Sequence, residues 1–212
     1  MPRPVGARVI SVIVAFGVTP AIAQPLGDIL DCAGPFAKGA SEGSLKQHFG
    51  AENVGPGDID IGEATTEPGT IVFPDDPKRR IEVLWHDASN RRQPRSIALT
   101  GSSTWVISAR FPDRRRFGLG ADLAQVEAIN GRAFRLNGFG WVNGGYVVDW
   151  NGGALGSSHA CRLDLRYSLG TETKPRVAKR VSGGRRFGSS DPAMRSAKPI
   201  VSEISLYWQS EP

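Results

Sequence analysis

Long stretches of the chain alternate apolar and polar residues with a period of two. In the segment Cys161 to Tyr167, Cys161, Leu163, Leu165 and Tyr167 fall on one side and Arg162, Asp164 and Arg166 on the other, the pattern of a strand that buries one face and wets the other. Ile81, Val83 and Trp85 repeat it around Glu82 and Leu84. Tyr146, Val148 and Trp150 do so around Val147 and Asp149, and Ile204, Leu206 and Trp208 stand in phase near the C-terminus. Further strand signals lie at Asp58 to Glu63, Gly69 to Phe73, Arg95 to Thr100, Thr104 to Ser108 and Gly138 to Val142. Asn143-Gly144 and Asn151-Gly152 have the composition of tight hairpin turns. Phe73 to Arg80, with two aspartates between two prolines, reads as a turn and not as a calcium loop, which needs ligands at several alternate positions.

Two stretches carry a helical pattern instead, and they can be laid over each other: Gly39 to Gly50 and Gly120 to Gly131. In the second, Asp122 is the expected N-cap, with Gln125 as its reciprocal partner. Leu123, Val126 and Ile129 form a narrow apolar stripe, and Asn130-Gly131 closes the helix. In the first, Ser41 takes the capping position, Leu45 matches Val126, His48 matches Ile129 and Gly50 matches Gly131. Ser44 stands where a Glu or Gln would complete the capping box. Strand signals come after both helices, so the chain is expected to contain two tandem helix-then-strands units, residues 39–100 and 120–167, then a basic loop at 171–199 and a last strand at 201–208. The expected fold class is α+β: an antiparallel sheet of about seven or eight strands with short helices packed on one face.

The segment Gly118 to Gly145, GLGADLAQVEAINGRAFRLNGFGWVNGG, resembles a pattern found in a group of proteobacterial periplasmic proteins. Its helical part is similar to the Gly-x-Thr/Ser-x-x-x-Val-x-x-x-x-Gly signature of small exported bacterial proteins built from helix-then-strands units. That class includes the small lipoprotein of the outer-membrane barrel-assembly machine and, with two tandem units, the β-lactamase inhibitory protein. The resemblance implies an exported protein built from helix-then-strands units, with an outer-membrane assembly role as the function it would carry. The sequence departs from the signature at Asp122, where a Thr or Ser is usual, and no cysteine stands at a lipoprotein cleavage point. The periplasmic group supplies no activity to carry over.

The N-terminus changes the picture of where the protein works. Arg3 and Arg8 precede an apolar run from Val9 to Val18, and Ala21-Ile22-Ala23 has the small residues a signal peptidase reads. Residues 1–23 are therefore expected to be a secretory signal, with the mature chain, residues 24–212, a single domain outside the cytoplasm, in the periplasm or secreted. A membrane anchor is the competing reading, but Gly17 and Pro20 interrupt the run before it reaches the roughly 20 residues of a span. The formal charge of +5 falls to +3 once Arg3 and Arg8 are removed. Export takes the chain away from nucleic acid and makes anionic envelope surfaces the relevant counterpart of that charge. In an oxidising compartment Cys32 and Cys161 are expected to be bridged in preference to remaining as two buried thiols, a link worth on the order of 4 kcal/mol.

The candidate chemistry is sparse. His48, His86 and His159 are far apart and make no metal-ligand pair. Ser157-Ser158-His159 lacks the nucleophile-elbow pattern, and the glycine-rich Asn143 to Gly153 lacks the Lys and following helix of a phosphate loop. No metal or cofactor is implied. Two binding surfaces stand out. Phe139, Trp141, Tyr146 and Trp150 cluster in one expected hairpin and would make a platform for a partner, or core beneath the helices. The segment Thr173 to Pro199 holds Arg180, Arg185 and Arg186 among eight basic residues against the one acid, Asp191, and would be a solvated loop or a grip for anionic lipid or an acidic protein. The expectation is a non-enzymatic binding protein acting on another protein or an envelope component through a sheet face. An envelope-assembly scaffold touching anionic lipid through the basic loop is one rival, and an unrecognised hydrolase the other.

Overall fold

The computed structural model describes residues 28–108, 115–156 and 160–209. The expected signal segment 1–23, and Ser157, Ser158 and His159, lie outside the described residues. The elements, in chain order, are β1 (Ile29–Leu30), α1 (Glu42–Phe49), β2 (Val54–Gly62), β3 (Thr65–Val72), β4 (Ile81–Asp87), β5 (Arg92–Leu99), β6 (Val106–Ser108), β7 (Arg116–Gly118), α2 (Leu123–Asn130), β8 (Arg135–Asn137), β9 (Val147–Asp149), β10 (Arg162–Ser168), α3 (Pro175–Arg180), β11 (Arg186–Gly188), α4 (Pro192–Ala197) and β12 (Ile200–Tyr207). The class is α+β, with short helices and mostly antiparallel strands.

The strands divide differently from the single sheet expected. Six form one antiparallel sheet in the order β10-β12-β5-β4-β3-β2, while β1-β6-β7 and β11-β8-β9 form two three-stranded sheets. The six-stranded sheet is the meander β2 to β5 extended by the C-terminal strand and β10. The physical reason lies between residues 131 and 160: β8 and β9 are three residues each, too short to span the sheet, and they pair with each other, with β11 on the other side of β8. Gly138 to Val142, expected as a strand, is a loop held to the segment after α3 by Phe139 N–H to Val181 O at 2.8 Å and Gly183 N–H to Phe139 O at 2.9 Å. Gly138 is needed there, because a Cβ on it would stand 2.5 Å from Gly183 O.

Cross-strand register sorts the two faces of the large sheet. Thr70, Val83, Ile97, Leu206 and Leu163 make one row, all buried. Its four apolar members join a single core cluster with Leu45 of α1, Leu123, Val126 and Ile129 of α2, and Met194 and Ala197 of α4. The helices thus cover one face. The opposite face carries the rows Ile71, Glu82, Ala98, Ser205, Asp164 and Leu84, Ser96, Tyr207, Arg162; Leu84, Ser96 and Ser205 are buried in it, and it opens toward the β10 edge, where Asp164 and Tyr207 are half-buried and Arg162 is exposed. At one end β2 is an edge strand with Pro56, Asp58 and Asp60 exposed along it.

Both helices begin and end as their signals dictate. Asp122 accepts from Gln125 N–H at 2.8 Å, and Gln125 returns the bond to Asp122 N–H at 2.9 Å. Ser41 does the same with Ser44 at 3.2 and 2.9 Å, so the box that looked incomplete is closed by a hydroxyl in place of a longer side chain. Gly50 and Gly131 terminate them at φ 93° and 77°, a conformation costly for any residue with a Cβ. His48, aligned with buried Ile129, is instead exposed on α1, its ring against Phe49 at 4.6 Å.

The region 171–199 is not a loop. Pro175 and Pro192 start α3 and α4, Asp191 accepts from Ala193 N–H at 2.7 Å, and Phe187 and Met194 are buried. Proline at a first helical position and a capping aspartate outweigh the high charge. Cys32 and Cys161 form a disulfide that closes a separation of 129 residues, with Cα atoms 5.8 Å apart.

Candidate functional site

The opposite face is most elaborate at its β10–β12 end. Because the inner face of β10 is set by Leu163, Leu165 and Tyr167, Arg162, Asp164 and Arg166 must point outward, and pairing with β12 sets them beside Tyr207, Ser205 and Glu203. Arg162 makes a two-pronged contact with Asp164 at 2.9 Å for both bonds and lies over the Tyr207 ring at 5.0 Å. Arg166 lies over the Tyr146 ring at 4.9 Å and stands 3.9 Å from Glu203. Glu203 also accepts from Tyr146 OH at 3.4 Å and from Ser205 Oγ at 3.2 Å. The result is a ladder of two rings, two guanidinium groups and two carboxylates laid across the strand ends.

Burial and, after it, the nearby carboxylates (Glu203 for Tyr146, Asp164 for Tyr207) push both phenols above their ordinary value. Each therefore presents a neutral O–H at physiological pH. Two clefts flank the ladder. One, of about 560 Å³, opens where β9 diverges from β10 and is lined by Val148, Trp150, Arg162, Asp164 and Tyr207. The other, of about 680 Å³, lies between the 139–144 loop and β12, against Trp141, Arg166 and Glu203.

The four aromatic residues singled out in the sequence are divided by the fold. Phe139 is core, at 7% exposure, and Trp141 is exposed at 39%. Tyr146 is half-buried in the ladder. Trp150 packs on Phe134 at 5.4 Å while presenting one side to the first cleft. The expected shared face of Tyr146, Val148 and Trp150 is broken at its middle member: Val147 packs against the core and Val148 is exposed. Arg180, Arg185 and Arg186 are all exposed, the first ending α3 and the others entering β11. The loop contacts at Val181 and Gly183 bring this basic segment against the aromatic loop, a junction across some 40 residues of sequence. Sequence reading missed Tyr207, Arg162, Arg166 and Glu203 as a site. Their alternation marked them as a wet face, but the pairing of β10 with β12 that aligns them has no local signal.

Among the described residues no group of three His, Cys, Asp or Glu side chains is placed to hold a metal ion. His86 is engaged with Trp208 O at 3.0 Å. Comparison of the chain with protein-family models, with curated proteins and with solved structures gives no match. No described helix is long and apolar enough to cross a membrane.

Proposed function

We propose that this chain is an exported, non-enzymatic binding protein that engages another protein or an envelope component through the face of its six-stranded sheet that opens toward the β10 edge. The observation that carries the reading is the ladder of Tyr146, Tyr207, Arg162 and Arg166 with Asp164 and Glu203 on that face. Tyrosine and arginine offer large, rigid contact area with directional hydrogen bonds, the chemistry over-represented where proteins bind proteins. The charged groups there are engaged with one another across neighbouring strands, an arrangement suited to meeting a partner's surface. Export is supported by the N-terminal segment pattern and by the disulfide, which persists in oxidising compartments. The matched caps and stops of α1 and α2, together with the periplasmic likeness of Gly118 to Gly145, favour descent from a repeated helix-then-strands unit.

The test is site-specific photo-crosslinking in periplasmic extract. A photoreactive residue at Tyr207 is expected to capture a defined partner, and the same residue at Gln47, exposed on α1, is expected not to. The double variant Arg162→Ala with Tyr146→Ala should abolish capture while leaving the denaturation midpoint within about 1 kcal/mol of wild type. Equal capture from both positions would reject the face as the binding surface.

A further inference from the structure

The loop Gly138 to Gly145 exposes Trp141 at 39% and Val142 at 62%, the latter the most exposed of the large apolar residues described. An exposed apolar pair is ordinary by itself; the backbone beneath it is not. Seven of the eight carbonyls from Gly138 to Gly145 already accept a hydrogen bond from within the protein. Gly138 O takes the Trp141 indole N–H at 2.9 Å, and Val142 O and Gly144 O take the Arg166 guanidinium at 3.2 and 3.1 Å. Asn143 O takes the Asn137 amide at 3.0 Å, and Phe139, Trp141 and Gly145 accept backbone N–H groups at 2.9 Å. A solvent-exposed loop normally leaves such groups to water. Here the indole N–H and nearly every carbonyl are satisfied internally, which lowers the cost of bringing the loop to an interface, while the amide N–H groups of Gly140, Trp141, Val142 and Asn143 have no partner among the described residues and are left to donate to headgroup oxygens.

The charge beside this tip is mostly basic, Glu203 in the cleft that Trp141 lines being paired with Arg166 at 3.9 Å. The segment against which the loop is bonded, Thr173 to Ser190, holds six basic residues and no acid. Lys174, Arg176, Lys179, Arg180, Arg185 and Arg186 are all exposed. Arg186 is cross-strand from Asn137, whose amide holds Asn143 of the loop. Arg185 lies over the Phe187 ring at 4.6 Å, next to Gly138. We infer that this corner is an interfacial docking site for an anionic lipid bilayer: Trp141 and Val142 enter the headgroup boundary and the arginine collar holds lipid phosphates. An apolar tip beside a basic segment matches the layered chemistry of such a surface, apolar within and anionic at the rim. This inference differs from the sheet-face reading in its cations, Arg185 and Arg186, which take no part in the ladder, although Arg166 of the ladder holds the loop at Val142 O and Gly144 O.

The experiment measures the full mature chain on vesicles of phosphatidylcholine, with or without about a third phosphatidylglycerol. Co-sedimentation is expected with the anionic vesicles, weakening as salt is raised, and not with the neutral ones. Arg185→Ala with Arg186→Ala should weaken partitioning about thirtyfold, roughly fivefold for each cation lost from an anionic surface. With brominated acyl chains, tryptophan emission should be quenched in wild type. The quenching should vanish in Trp141→Phe and fall in Val142→Asp, both surface changes whose folding is checked by thermal midpoint. Retention without quenching overturns insertion of the tip, and quenching that survives Trp141→Phe places the contact elsewhere. No retention on anionic vesicles overturns the lipid site and leaves the collar to an acidic protein. Vesicle binding lost in the collar variant while crosslinking at Tyr207 persists would separate this site from the sheet face.

Discussion

Helices α1 and α2 are alike in length, cap and stop, yet the protein anchors them by different means. α1 has Leu45 as its one fully buried apolar side chain, with Phe49 at its end packed against Phe36, Phe73 and Trp105, and is otherwise pinned by charge. Glu42, 8% exposed, accepts from Thr70 Oγ1 at 2.8 Å and Lys46 Nζ at 2.6 Å and pairs with Arg91 at 3.2 Å, while Trp85 Nε1 donates to the same Thr70 at 2.9 Å. α2 is held by an apolar triad, Leu123, Val126 and Ile129, with a lesser polar tie from Glu127 to Arg195 and to Ser189. The strands downstream of the two helices also differ: four of seven to nine residues come directly after α1, whereas α2 is followed by two of three residues and only then by the seven-residue β10. Caps and stops are local chemistry and recur wherever the residues do. Anchorage and strand pairing depend on distant partners and need not.

The comparison breaks most visibly if the two halves are unlinked. Cys32→Ser with Cys161→Ser should lower stability by about 4 kcal/mol, since the closed loop is long. A guanidinium midpoint showing a loss under about 1 kcal/mol would mean that the shared core alone holds the halves together. Next in size, Glu42→Gln should cost about 2 kcal/mol, because it strips a largely buried carboxylate from two half-exposed cations. Glu127→Gln, on the helix with the apolar anchor, should cost about 1 kcal/mol. Equal losses would refute the contrast between charged and apolar anchorage.

Acid titration sharpens the same point. Burial raises the Glu42 carboxyl, but hydrogen bonds from Lys46 and Thr70 and the charges of Arg91 and Lys46 outweigh it and hold the carboxyl below its ordinary value. The stability it contributes is therefore complete above the unfolded-state value of about 4.3 and is lost as pH falls through the lower folded value. The gap in urea midpoint between wild type and Glu42→Gln should narrow below about pH 4. Smaller still, Ser41→Ala and Asp122→Ala should each cost about 1 kcal/mol, and by similar amounts, because the two boxes are equivalent. A Ser41 effect near zero would show that the hydroxyl-closed box is weaker than its geometry. The Arg185→Ala, Arg186→Ala pair should change stability by less than about 0.5 kcal/mol, both side chains being solvated.

The caps, the glycine stops, the turn between Phe73 and Arg80 and the inward placement of Cys161 were legible in the sequence because each rests on residues close together or on a strict period. The sheet count was not. The strand pattern across Gly138 to Trp150 has the right composition, but Gly138, Gly144 and Gly145 take close backbone contacts that bend it into a loop, and nothing local announces such contacts. In the basic segment, counting charge hid the prolines and buried Phe187 and Met194 that order it. The candidate site was half legible: Trp141 and Tyr146 were singled out, whereas Tyr207 and Glu203 became part of it only through a pairing between strands far apart in sequence.

The edge at β2 bears on how concentrated this protein can become. A sheet with one face open to partners also has a free rim of backbone donors and acceptors, the usual starting point for copies of a chain to stack into fibres. Along β2 that rim is interrupted by Pro56, which has no N–H to offer, and lined by Asp58 and Asp60. Two such rims brought together would place like charges in register. Replacing Asp58 and Asp60 with threonine would leave the folded monomer nearly unchanged and remove the barrier to self-templating. The barrier to pairing along this rim thus rests on two carboxylates that have no part in the core.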